Sequence, residues 1–273
     1  MSIANFLPYC GHPPVPGDLI WNTDPILISG LLGIAIVYLA RSFGSDGLSP
    51  NERRCFVIGW GVVAAALTSP LCNLSVALFS ARVTQHIVLT LVAAPLVVLG
   101  RPERAFAAFL PLRMVGALLK KHGMGIGAAG FAVTMWTWHL PGPYDATLQN
   151  NYAYWAMHIT TFGSALIFWH ALLFHGATRT GSALVAAFGT AMQMSLLGAV
   201  LTLAPRALFA VHSTTTWPWG LSPLEDQQLG GLIMWVPAGV LFTVYGIVAF
   251  GRWMASFEAA PATLEIGGSA ARN

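Results

Sequence analysis

The sequence predicts an all-α, polytopic membrane helix bundle: seven transmembrane helices, N-terminus outside, C-terminus cytoplasmic. Three observations predict it. Of 273 residues, 56% are hydrophobic and only 8% are charged, against about 25% charged in an ordinary soluble chain, so the chain cannot cover itself with polar surface. Apolar runs near the roughly 20 residues a bilayer requires recur along its length. Lys and Arg gather in alternate connecting segments. This composition excludes a cytosolic enzyme, a disulfide-stapled secreted domain and a disordered regulator. A net charge of +3 gives no argument for nucleic acid, and three Cys are too few for a disulfide framework and lack the paired spacing of a zinc site.

The spans are expected at 25–41, 55–69, 74–99, 124–140, 152–174, 182–204 and 229–252. Residues 102–121 place Phe106, Phe109, Leu110 and Leu118 among basic side chains and a Pro, the pattern of a broken interfacial helix. The first 24 residues lack a basic start followed by an apolar stretch, so no cleaved signal peptide is expected. With the N-terminus outside, Arg41, Arg53, Arg54, Arg101, Arg104, Arg113, Lys120, Lys121, Arg179, Arg252 and Arg272 all fall inside, eleven of thirteen basic residues. Only Arg82 and Arg206 remain outside, and cytoplasmic loops are where positive charge accumulates. Trp21, Trp136, Trp138, Trp155, Trp217 and Trp219 would belt the outer interface. Residues 1–255 are expected to form one membrane domain and 256–273 a flexible cytoplasmic tail.

Ionisable groups inside a span are expensive, which turns attention to the histidines. At about 1.5 Å per residue, His86, His139 and His158 collect in the outer half on three different helices. His170 and His175 fall near the inner face, where snorkelling or packing explains them. Met192, Met194 and Met234 share the outer depth range. Imidazole with thioether is a soft donor set suited to Cu(I), and Cys10 and Cys72 on the same side offer either copper capture or a bond to each other. Each residue also has a plain structural reading: a His bridging helices, a Met filling a gap, a Cys packing as a small apolar group. Asp226 either caps the seventh span or orients a ligand His, Gln85 is a second candidate for orienting one, and Arg82 is expected to snorkel outward.

Several stretches then resemble one family, in order along the chain. These are YCGHPPVPGDLIWNTDP (9–25), Ser69-Pro70-Leu71, SARVTQHIVLTLVAAPLVVLG (80–100), WTWHLPGPYDATLQN (136–150), HITTFGSALIFW (158–169) and DQQLGGLIMWVPAG (226–239). They are similar to the motifs of the polytopic CtaG family of cytochrome c oxidase assembly factors. The resemblance covers about residues 9–250 and implies a seven-helix, multi-pass protein of the bacterial inner membrane that matures haem-copper oxidase by handling copper. It carries His86, His139 and His158 as motif histidines and Asp226 at the head of the last motif. One departure stands out: many members have a His four residues before the third-span His, where this chain has Arg82. The expectation is a non-enzymatic factor that holds Cu(I) near the periplasmic side and passes it to an oxidase subunit, with a periplasmic copper chaperone as a further partner. The competing readings are a bis-His haem protein built on His86 and His158 and a copper transporter.

Overall fold

A computed structural model describes residues 7–43, 47–107 and 112–258, with no side-chain description at 112–122 and 256–258. Among the described residues all regular secondary structure is helical, without strands. Helix starts follow from local chemistry. In α1 (Pro25–Ser42) Pro25 occupies the first turn and the Asp24 carboxylate accepts from the backbone N–H of Ile26 and Leu27, satisfying donors that have no intrahelical acceptor. In α2 (Pro50–Thr68) Ser49 and Glu52 form a reciprocal capping box. Ser69 caps α3 (Pro70–Ala77), and the Ser69-Pro70 step bends the α2–α3 pair by 47°.

The third expected span is built in pieces. After a break at Leu78 come α4 (Phe79–Ile87), a π-helical segment (Val88–Ala93) and α5 (Ala94–Leu99). Pro95 cannot donate to the carbonyl four residues back, at Leu91, which favours a wider turn there. The irregular backbone is tied down from outside: Trp169 Nε1 donates to the Thr90 carbonyl at 2.8 Å, and the Thr90 hydroxyl to the His86 carbonyl at 2.7 Å.

Beyond α6 (Pro102–Ala105) the chain continues as α7 (Leu112–Trp138), α8 (Pro141–Gln149), α9 (Asn151–His175), α10 (Thr180–Leu203) and α11 (Pro223–Glu258). The expected interfacial helix over 102–121 is therefore corrected. Its first turn is α6, residues 108–111 lie outside the described residues, and from Leu112 the chain is already α7. A helix starting just after Pro111 meets no further Pro up to Trp138, so nothing separates the two parts. Of the expected tail, 256–258 continue α11 and 259–273 lie outside the described residues.

Among the described residues five helical stretches are long and apolar enough to cross a membrane: Pro25–Ser42, Phe79–Leu99, Asn151–His175, Thr180–Leu203 and Pro223–Ala255. The bent α2–α3 pair passes the same test taken together, as a broken span or a re-entrant loop. At the fourth expected span α7 is long enough, with 27 residues, but it is not among them; its sequence carries Lys120, Lys121 and five Gly. Large apolar side chains cover the outside, Ile26 82%, Leu203 76% and Val185 72% exposed, as expected where lipid is the solvent. The chain is a membrane protein.

The interior is fixed by close helix contacts. A Cβ added to Gly198 of α10 would stand 2.8 Å from the Gly231 carbonyl of α11, and one added to Gly230 would press into the Phe79 ring. Small residues are what let such backbones approach in a bilayer. At the end of the bundle that carries the N-terminal segment, that segment is tied to α3 by a Cys10–Cys72 disulfide and by Asn73 Nδ2, which donates to the carbonyls of Cys10 and His12.

Candidate functional site

Three helices bring three buried imidazoles together. His86 of α4, His139 just past the end of α7 and His158 of α9 are 1%, 3% and 5% exposed. The His86 ring centre lies 5.8 Å from that of His139 and 5.7 Å from that of His158. A metal about 2 Å from an imidazole nitrogen is about 3.2 Å from the ring centre. Two rings sharing one ion at 120–180° are then separated by about 5.5–6.4 Å, and both observed spacings fall in this interval.

The protonation pattern is set by the backbone. His139 Nδ1 is 2.7 Å from the Met135 carbonyl and His158 Nδ1 is 3.0 Å from the Tyr154 carbonyl. A carbonyl only accepts, so each Nδ1 carries the proton and each Nε2 presents a bare lone pair. Both Nε2 atoms are buried without a hydrogen-bond partner, and so are both ring nitrogens of His86. Four orphaned nitrogens in one hydrocarbon-enclosed cluster are costly unless something binds there. Among the described residues no three His, Cys, Asp or Glu side chains already form a metal cage; the imidazoles stand as two neighbouring pairs that share His86.

The other candidates divide. Met194 and Met234 are fully buried in the central core with Val83 and Met135. Met192 is 58% exposed: two residues along a helix is a turn of about 200°, so Met192 and Met194 point to different sides of α10. Cys10 carries no free thiolate, because its sulfur is bonded to Cys72; the Tyr154 hydroxyl lies 3.4 Å from the one sulfur and 3.6 Å from the other. Among the described residues Asp226 makes no hydrogen bond to a His, and its carboxylate serves the start of another helix. Its carboxylate accepts from Phe79 N at 2.6 Å and from Ser80 N at 3.2 Å, with Ser80 Oγ as a third donor, so it caps α4, whose own preceding residue Leu78 offers no side-chain acceptor. Gln85 Nε2 donates to the Ala66 carbonyl of α2 at 2.7 Å and likewise holds helices together.

Arg82 does not snorkel. It is fully buried, one turn before His86, with its guanidinium carbon 5.5 Å from the centre of the Tyr154 ring. The Tyr154 ring centre itself lies 4.3 Å from that of His158, the two rings tilted by 38°. Sequence reasoning passed over Tyr154, although its place four residues before His158 puts it on the same helix face. His170 and His175 pair with each other at 5.7 Å, apart from the three. His212 Nε2 lies 2.7 Å from the Tyr144 hydroxyl, in the loop between α10 and α11. Burial, reinforced by the positive charge of Arg82, lowers it to about 3, so it stays neutral.

The family model described as cytochrome c oxidase caa3 assembly factor (Caa3_CtaG) matches residues 31–256, which include all three histidines, Arg82 and Asp226. No curated protein and no solved structure matches the chain. A membrane-helical chain matched over most of its length belongs to the family of cytochrome c oxidase caa3 assembly factors.

Proposed function

We propose that this assembly factor handles copper: it holds Cu(I) between His86, His139 and His158 and releases it by ligand exchange to a haem-copper oxidase subunit docked alongside, without bond-making chemistry of its own. The supporting observation is the pair of histidines whose Nδ1–H is committed to a backbone carbonyl while Nε2 is left bare and buried beside His86. Neutral imidazoles add no charge to a hydrocarbon environment and suit a monovalent soft ion, and Met194 or Met234 supplies thioether if the bundle shifts. In this reading the chain spans a bacterial plasma membrane seven times, with α7 as the fourth span, the N-terminus outside and the C-terminus inside. Eleven of the thirteen basic residues then face the cytoplasm. The three histidines lie in the outer half, where a periplasmic chaperone can deliver the ion.

The test is copper per folded molecule. His86→Ala and His158→Ala lose most of it, while His170→Ala, paired with His175 away from the cluster, retains the wild-type amount. Were the histidines only helix bridges, their loss would cost about 0.6–1.7 kcal/mol of stability and leave bound copper unchanged. Equal copper in all three variants refutes the site.

A further inference from the structure

Arg82 is the largest side chain in the interior with essentially no exposure. Among the described residues its side chain makes one hydrogen bond, from Nε to the Ser75 carbonyl at 3.3 Å. Nη1 and Nη2 have no partner among the described residues. A guanidinium keeps its proton even when buried, so a full positive charge sits in the bundle with two donors idle. No described carboxylate lies within ion-pair distance of it: the ion pairs among the described residues join Arg101 and Arg104 to Glu52 and Glu103, and the buried carboxylate of Asp226 accepts from Phe79 and Ser80. The face of the Tyr154 ring recovers a fraction of what water would give. His86, His158, His212, Tyr144 and Tyr154 feel its charge and are neutral there or add to it, while the carboxylates of Asp226 and Asp145 act on the same Tyr144 without pairing with the guanidinium. Both of the usual solutions for a buried charge, a counter-ion or a hydrogen-bonded cage, are missing.

We propose that Arg82 holds a small monovalent anion of the halide class through Nη1 and Nη2, beside the histidine cluster. A halide suits the place because it needs few donors and tolerates an apolar wall, whereas an oxyanion would demand donors for several oxygens. It also neutralises the charge that would otherwise oppose any cation brought to His86, one helical turn away. Halide is a soft ligand for Cu(I) as well, and that extension alone rests on the copper reading.

Copper-free protein in nanodiscs, titrated with chloride or bromide against gluconate, tests the anion independently of copper. The melting temperature of the wild type rises with halide by about 3–5 °C for each tenfold increase above Kd. R82Q shows no halide response, and in gluconate it melts at or above the wild type, because it removes an unpaired charge. Bromide-soaked crystals of the wild type place an anomalous peak on the guanidinium, an observation that does not depend on the variant folding. A flat wild-type titration, a halide response retained in R82Q, stabilisation by formate but not halide, or a marked loss of stability in halide-free R82Q each overturns the assignment.

Discussion

Asp226→Ala separates the architecture of the site from its chemistry. The carboxylate satisfies the backbone N–H groups of Phe79 and Ser80 and the Ser80 hydroxyl, all buried. At the start of α4 those N–H groups have no intrahelical acceptor, and the residue before them, Leu78, cannot cap. Removing the acceptor orphans two buried N–H groups at about 1–3 kcal/mol each. Relief of the carboxylate's own desolvation offsets part of this, so the lower bound of about 2 kcal/mol is the working figure. At about 2–4 °C per kcal/mol, the melting temperature falls by at least about 4 °C. Asp226→Asn keeps the shape and one acceptor oxygen but turns an NH2 toward a backbone donor, and falls by a smaller amount. The assay is thermal unfolding in detergent, followed by copper per molecule in the fraction that remains folded. A cap predicts lower stability with copper content preserved once α4 is in place. Unchanged melting with reduced copper would refute the capping argument, because it would mean that Asp226 acts through a histidine.

Gly198→Leu forces a side chain against the Gly231 carbonyl and Trp235 and separates α10 from α11, while Gly239→Ala, with nothing within 4 Å of its added Cβ, leaves the melting temperature unchanged; equal effects would refute the close-packing argument. Cys72→Ser opens a link across 62 residues, worth about 4 kcal/mol by loop entropy, and a melting shift below about 2 °C would contradict that link. His212 has a folded value near 3 against an ordinary 6.5, so the unfolded chain binds the proton first. Its contribution to stability is complete above pH 6.5 and declines by about 1.4 kcal/mol per unit as pH falls from 6.5 towards 3. His212→Gln therefore flattens the stability profile across that window, and an unaltered slope shows that other groups dominate it. Cysteine labelling places the 205–222 loop outside and the 112–121 segment inside; the reverse reverses the proposed direction of copper transfer.

Much of this was legible because the bilayer penalises charge. That penalty makes composition decisive for fold class and makes an intramembrane His conspicuous, so a depth estimate alone selected His86, His139 and His158, the three rings that adjoin in the fold. Depth carries no azimuth, however. Met192 and Met194 share a level, yet one faces out and the other faces in, a distinction that helical periodicity already contains. The breaks in the third span were hidden for a different reason. A π segment inside a continuous apolar run depends on Pro95 and on Trp169 reaching over from another helix, and a hydropathy window sees neither.

The residues misjudged by local rules are informative in themselves. Snorkelling assumes that a long basic side chain has a free path to the interface, and at Arg82 the path is closed: α3 supplies the Ser75 carbonyl, and Tyr154 covers the guanidinium. Capping assumes that an acidic residue at a helix start serves that helix, yet Asp226 serves the one carrying His86. Both residues thus bear on α4, Asp226 by fixing its first turn and Arg82 by setting the charge one turn before His86. On the proposed copper reading, a site that gives up its ion gains from this division. The imidazoles can exchange ligands while the backbone that carries the middle ring is held by groups that bind no metal.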